Sequence, residues 1–285
     1  MAILFTDTDC DISADDIKNF DIKVILMPYI FDGEECYYDL TKNENTTAFF
    51  EGLRKGVSAV TSAINSQDYI NYFEPYFKNN EEMLYVHFSD KMSATFEKME
   101  VAIGELSKKY PKAKFLTFNT LSICAGSAIL VVEAAKQIKD GKSIDEIVVH
   151  LKKMVSNACC LFAIEDPSFI EKGGRSNSKK SNTNVLKLKL AIGFDDNGCI
   201  KLLETKTSMN MVILDIAKRV KNNIFEQSEI RILDADAKAN ADKMEKEIKR
   251  LLPNSKIIRY SISPVVGTHC GPGAVCVAYF GNKRL

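Results

Sequence analysis

Tryptophan is absent from this 285-residue chain, and histidine occurs three times. An excess of either charge is missing as well: Lys+Arg and Asp+Glu both number 38. Nucleic-acid-binding domains normally carry a basic surplus, so no nucleic-acid partner is expected. The one short basic run, Lys179–Lys180 in "GGRSNSKKSN", reads as a solvated loop. Long apolar runs are lacking too. "GSAILVVEAA" is interrupted by Glu133 and is far short of the ~20 residues that span a bilayer. "MAILFT" is too short for a secretory h-region and runs into an acidic segment. A cytoplasmic location is expected, with no membrane insertion.

Motif absences narrow the chemistry. None of the eight cysteines forms a C-x-x-C pair, and no Cys/His spacing suits zinc, so reduced thiols and no metal are expected. The adjacent Cys159 and Cys160 read as a helix-to-strand boundary without chemistry. There is no G-x-x-x-x-G-K, no G-x-G-x-x-G, no G-x-S-x-G and no H-E-x-x-H. Phosphate cradles, dinucleotide fingerprints and nucleophile elbows are thereby excluded, and no cofactor is called for.

What is present is an alternation of apolar runs and amphipathic segments. "AILFTDT", "EMLYVHFS" and "AKFLTFNT" read as strands. "TTAFFEGLRKG", "SQDYINYFEPYFKN", "SATFEKMEVAIGELSKKYP", "SAILVVEAAKQIKDG" and "SIDEIVVHLKKMVSNA" read as helices, the last opened by a Ser143 cap. Strands alternating with helices imply a parallel sheet. "PYIFDGEECYYD" turns at Asp32-Gly33, a hairpin signal. The second half mixes types. "CCLFAIED" and "EIRILDAD" are strands, "NVLKLKLAIGFDDNGCIKLLETK" is a hairpin turning at Asp195–Gly198, and "SMNMVILDIAKRVKNNI" and "AKANADKMEKEIKRLLP" are helices. "SKIIRYSISPVVG" reads as one strand leading into a tight loop, Thr268–Gly273, with His269 at its tip. The expected architecture is α/β in two domains. A parallel-sheet α/β domain over residues 1–158 packs on a mixed or antiparallel α/β domain over 159–285, with a ligand site between them.

Four loops share one setting, an apolar strand followed by small hydroxylic residues and then a helix. They are "TDTDCDIS" (6–13), "TSAINS" (61–66), "SDKMSAT" (89–95) and "NTLSICAGS" (119–127). Ser and Thr at helix starts cap exposed N–H groups. Four such loops beside the His269 loop also suit one polar pocket at the carboxyl ends of parallel strands. His269 is either a structural group bonding its own loop or a ligand contact. His87 and His150, in a strand and a helix, read as structural. Asp7 and Asp9 read as loop and cap residues that shape the crevice.

The motifs "TDTDCDIS", "TSAINS", "SDKMSAT", "KGGR" and "GTHCGPGAV", in this order and spacing, resemble those of the DegV family over essentially the whole chain. The resemblance implies a two-domain bacterial cytosolic protein that binds a long-chain fatty acid. It implies similarity to the fatty-acid-binding subunit of fatty acid kinase. That subunit has no catalysis of its own. It presents the acyl carboxylate to a separate dihydroxyacetone-kinase-like subunit, which makes acyl phosphate. Carried over residue by residue, Thr61, its neighbour Ser62, Ser93 and His269 gather at the carboxylate, and Arg175 lies near the mouth. Two departures stand out. The family's T-S-Q-P is here Thr61-Ser62-Ala63-Ile64, and its S-G-T is here Ser93-Ala94-Thr95.

A fatty acid poses two demands. Its tail gains roughly 0.8 kcal/mol per methylene taken from water. Phe49, Phe50, Phe73, Phe77, Met92, Phe96 and Met99 are candidates for a tunnel, although ordinary core packing accounts for most of them. The carboxylate must be hydrogen-bonded if buried. Other readings are a hydrolase or acyltransferase using Ser93 or Cys270 with His269, and a lipid-sensing regulatory module. Transient membrane contact fits a lipid carrier. Acyl length, saturation, oligomeric state and the identity of a kinase partner are not encoded in any motif.

Overall fold

Strand β1 (Ile3–Asp7) buries four of its five residues, as a strand covered on both faces must. In the computed structural model, which describes residues 2–42, 45–174 and 188–285, β1 sits inside a parallel sheet. A 3-10 turn and helix α1 (Ala14–Phe20) lead to β2 (Lys23–Ile25). The chain then forms the hairpin β3 (Pro28–Phe31) and β4 (Glu34–Tyr37), turning at Asp32-Gly33 as its sequence predicts. Next come α2 (Thr47–Arg54), β5 (Ala59–Thr61), α3 (Ser66–Lys78), β6 (Glu82–His87), α4 (Thr95–Lys109), β7 (Lys114–Asn119), α5 (Ala125–Lys139) and α6 (Ile144–Met154). The remainder runs β8 (Ala158–Ile164), α7 (Ser168–Lys172), β9 (Lys189–Phe194), β10 (Ile200–Lys206), α8 (Met209–Asn223), β11 (Ile230–Asp234), α9 (Lys238–Leu251), β12 (Ile257–Ser261), α10 (Pro264–Cys270) and β13 (Val275–Phe280).

Three sheets result among the described residues. The parallel sheet has the order β2-β1-β6-β7, a mixed six-stranded sheet has β10-β9-β8-β13-β11-β12, and a small antiparallel sheet has β4-β3-β5. The expected parallel-plus-mixed α/β class is observed.

The layering follows from side-chain alternation. Phe5 and Tyr85 face each other in register, and both lie on the side covered by α3 and α4. Phe73 of α3 meets Phe5 edge-on at 5.1 Å and Phe115 at 4.9 Å. The opposite face rests on α5, which also touches β8, β11 and β13 of the mixed sheet. Helix α5 buries Ala125 through Val132 without a break. A helix apolar on all sides belongs between two layers, and "GSAILVV" is such a segment. Helices α8 and α9 cover the outer face of the mixed sheet and form their own apolar cluster with it. The order is helices, sheet, α5 with its neighbours, sheet, helices.

Two sequence readings change. "SISPVVG" is not strand: β12 ends at Ser261, and Ser263 caps α10, accepting a hydrogen bond from Val266 N–H, with Pro264 in the first turn. Pro is preorganised for that position and cannot donate to a sheet. Helix α1 went unread because only Ile17 of its seven residues is buried, which leaves little periodicity. Ser143 does cap α6, in a reciprocal box with Glu146.

Phe73 is fully buried among four aromatic neighbours. Phe73→Ala is expected to cost about 3–5 kcal/mol, read as a lowered midpoint in urea denaturation.

Candidate functional site

Strands β1, β6 and β7 end at one edge of the parallel sheet, and the loops that follow them are bonded to one another. Cys124 N–H donates to Asp9 O at 2.7 Å, and Ser89 N–H donates to Ser122 O at 2.7 Å. The mixed sheet joins the same cluster. Ser263 N–H, at the start of α10, donates to Asp11 Oδ1 at 3.0 Å in a fully buried contact. Ser89 Oγ donates to Gly198 O at 2.9 Å, which fastens the β9–β10 turn to the loop after β6. A Cβ at Gly198 would lie 2.4 Å from Ser89 Oγ, and its φ of +82° is one that side chains disfavour.

His269 is on the last turn of α10, not at the tip of a loop as the sequence reading had it. The glycines that suggested a loop serve the helix end, where Gly271 has φ +72°. His269 Nε2 is 2.9 Å from Thr61 Oγ1, although 208 residues separate the two. Its Nδ1 is packed on Gly173, where an added Cβ would come within 2.6 Å. The first glycine of "KGGR" is thus a close-approach position. Thr268, by contrast, is spent within the helix, donating to Pro264 O at 2.8 Å.

Thr61 ends β5 in the small antiparallel sheet, so "TSAINS" does not follow a strand of the parallel sheet. The small sheet brings it there because β5 pairs with β3, with Tyr29 opposite Thr61. Thr61, Ser62, Ser93 and His269 line one small cavity of about 20 Å³, closed by Met27, Phe88, Met92 and Ile123, with Asp9 at its border. Ser93 Oγ accepts Thr95 N–H at 3.2 Å, at the start of α4. Two open clefts lie outside the polar cavity. One, of about 520 Å³, includes Thr61, His269 and Lys172, and one, of about 720 Å³, includes Ser62, Ser93, Lys91 and Gly174. Arg175 and the Lys179–Lys180 run lie outside the described residues.

Met92, Ile123 and His269 also line a second cavity of about 50 Å³. Its other walls are Phe162 and Ile164 of β8, Ile170, Ile192 and Phe194 of β9, Ile200 of β10, Val266 and Cys270. These walls are almost wholly apolar. Of the seven tunnel candidates, only Met92 is among them. Phe73 and Phe77 stack in the aromatic core, Phe49 and Phe50 pack together beneath α10, and Phe96 faces the outer cleft. The sequence reading missed the β8–β10 residues. Their signal was the alternation Cys160, Phe162, Ile164 and Ile192, Phe194, which marks one sheet face.

Burial governs the protonation of the surroundings. It raises Asp7 to about 7, against the pull of the Tyr85 hydroxyl, which donates at 2.9 Å. It raises Asp11 to about 7 as well, against its bonds to Ser263. It lowers His87, which lies between Tyr85 and Phe96, to about 4. It pushes the Cys270 thiol well above its ordinary 9.0, so this sulfur stays a neutral, weak nucleophile. His150 is paired with Glu133 at 2.8 Å, away from the site. Among the described residues no three His, Cys, Asp or Glu side chains gather as a metal site, and no helix is long and apolar enough to cross a membrane.

These shifts have opposite signs in stability. Asp7 and Asp11 keep their protons in the folded chain up to about pH 7 but lose them near 3.8 when unfolded. Their contribution is full below that lower value and is lost as pH rises through 7. His87, neutral in the fold down to about 4 but ordinarily titrating at 6.5, makes stability rise with pH between those values. Two carboxyls outweigh one imidazole, so the thermal midpoint is expected to fall from pH 5 to 7.5. In the double variant Asp7→Asn, Asp11→Asn that fall should vanish or reverse below pH 6.5. Thermal melts across this range check it, and an unchanged slope would put the protons elsewhere.

Comparison with known proteins adds to this geometry. The family model described as "Uncharacterised protein, DegV family" matches residues 2–282. A DegV domain-containing protein of Clostridium perfringens is 29% identical over 99% of this chain and 98% of its own. Another, of Clostridium acetobutylicum, is 30% identical over 95% and 96%. Among solved structures, a stearic acid-binding protein from Eubacterium ventriosum superposes with a TM-score of 0.86 at 19% identity, covering 99% of this chain and 98% of that one. DegV of Bacillus subtilis, described as a fatty acid binding protein, gives 0.83 at 19% identity over 99% of both chains.

Proposed function

This chain belongs to the DegV family, and from that premise we propose that it binds a long-chain fatty acid and has no catalysis of its own. One observation carries the reading. A cavity lined by two threonine- or serine-bearing loops and His269 borders an apolar one, and the two share Met92, Ile123 and His269. A carboxylate and a hydrocarbon tail require that adjacency. The Eubacterium ventriosum neighbour is a stearic acid-binding protein, and one from Eubacterium eligens was solved with heptadecanoic acid.

In this reading Thr61, Ser62, Ser93 and His269 hold the carboxylate, and Arg175 stands near the mouth. Hydroxyl and imidazole donors bind an oxygen without the bidentate grip of a guanidinium. The carboxylate then keeps an oxygen available for attack on a phosphoryl group. The two outer clefts reach the same four residues, which is where a separate dihydroxyacetone-kinase-like subunit would meet it to make acyl phosphate in the cytoplasm. The buried, protonated Cys270 argues against the thiol-nucleophile alternative. A long tail fills several hundred Å³, so the facing side chains of the apolar cavity must part to admit it.

Native mass spectrometry of the purified chain, followed by solvent extraction, is expected to find one fatty acid per chain. Thr61→Val and His269→Ala should each weaken fatty acid binding about 10- to 150-fold, the cost of one hydrogen bond to a charged group. Ser93→Ala should slow acyl-phosphate formation by a kinase partner. A chain that carries no lipid and gains no thermal stability from added fatty acids would sink the proposal.

A further inference from the structure

The apolar cavity lies against one row of the mixed sheet. In register, Cys276 of β13 is opposite Phe162 of β8, Phe162 is opposite Ile192 of β9, and Ile192 is opposite Leu202 of β10. Residues directly opposite in antiparallel strands project from the same face. Ile200, two residues earlier on β10 and still in regular register, lines the cavity, which puts Leu202 on the cavity side just before the β-bulge that follows it. Three members of the row are sealed: Cys276 is 0% exposed, Phe162 3% and Ile192 5%. Leu202 is 52% exposed, on the strand at the free edge of the sheet.

A buried apolar row whose middle members, Phe162 and Ile192, line a cavity and that ends in an exposed leucine has an inner end and an outer end. We infer that Leu202 is the outer end of the acyl slot, and that it sets how long a tail the protein rewards. The tail enters beside His269 and crosses β8 and β9 along Phe162 and Ile192. The methyl end of a long tail then lies on Leu202 at the edge of β10. Strands lie about 4.8 Å apart, so Phe162 to Leu202 spans about 10 Å, or roughly eight methylenes. A tail that stops short of β10 leaves Leu202 to water, whereas a longer one covers it. The slot thus favours long tails by an additional contact and has no wall at that end to exclude them.

This inference rests on the fatty-acid reading above, and its test separates the two. Leu202→Ser alters an exposed side chain, so folding should be preserved, as a thermal melt will confirm. Binding of stearic and lauric acid is then compared in wild type and variant by displacement of a fluorescent fatty acid. Stearic acid should bind about 5- to 15-fold more weakly to the variant, the burial of two or so methylenes, while lauric acid should change less than twofold. Equal losses for both acids, or no loss for either, would overturn the assignment of Leu202 and leave the fatty-acid reading standing. Failure of wild type to bind either acid would remove the fatty-acid reading itself. A wild-type dimer that Leu202→Ser makes monomeric in sedimentation, with lipid binding unchanged, would assign the leucine to a contact between copies and overturn the inference.

Discussion

The buried bond from Ser263 N–H to Asp11 is the contact on which the site depends. It joins the turn after the first strand to the start of a helix 252 residues later, and that helix carries His269. Asp11 is held in a left-handed conformation, φ 41°, so its carboxyl turns toward the mixed sheet. A second buried polar contact lies between α1 and β11, where Arg231, 2% exposed, donates to Asp16 at 2.7 Å. Burying charge in this way gains little net stability, but breaking such a pair is costly. The relation between the two sheets is therefore fixed by polar contacts with one correct geometry. Apolar packing of α5 between them is buried and non-directional.

That division of labour explains the two cavities. The polar one is assembled from separate pieces, β5 of the small sheet, the loop before α4 and the end of α10, and no single element contains it. The apolar one is a gap between a sheet face and the loops opposite. His269 belongs to both because α10 enters from the mixed-sheet half and ends against Thr61. Its ring is set on one side by a hydroxyl and on the other by a glycine with no Cβ. Its position is consequently determined from two directions.

Much of this was legible in the chain. Parallel and mixed sheets follow from the change in alternation near residue 158, and Ser143, Asp32-Gly33 and Asp195–Gly198 mark their turns by local chemistry. Thr61, Ser62, Ser93 and His269 were singled out by motif order, and they do converge on one cavity. What was not legible is long-range. No local pattern says that β5 leaves the parallel sheet for a three-stranded one. Three glycines around His269 looked like a loop because glycine signals a helix end and a turn alike. The apolar lining was hidden for a different reason: Phe162 and Ile192 alternate as any buried strand residues do, whereas the phenylalanines of α3 that drew attention fill an ordinary core. Which of two buried faces borders a gap is decided by what packs opposite.

The clasp between Ser89 and Gly198 bears on how the two cavities communicate. The β9–β10 turn is one end of the wall that carries Phe194 and Ile200, and Ser89 begins the loop that carries Ser93. The wall of the apolar cavity and the loop that carries Ser93 and Lys91 therefore share one fastening, a single hydroxyl on a backbone carbonyl, so neither is placed independently of the other.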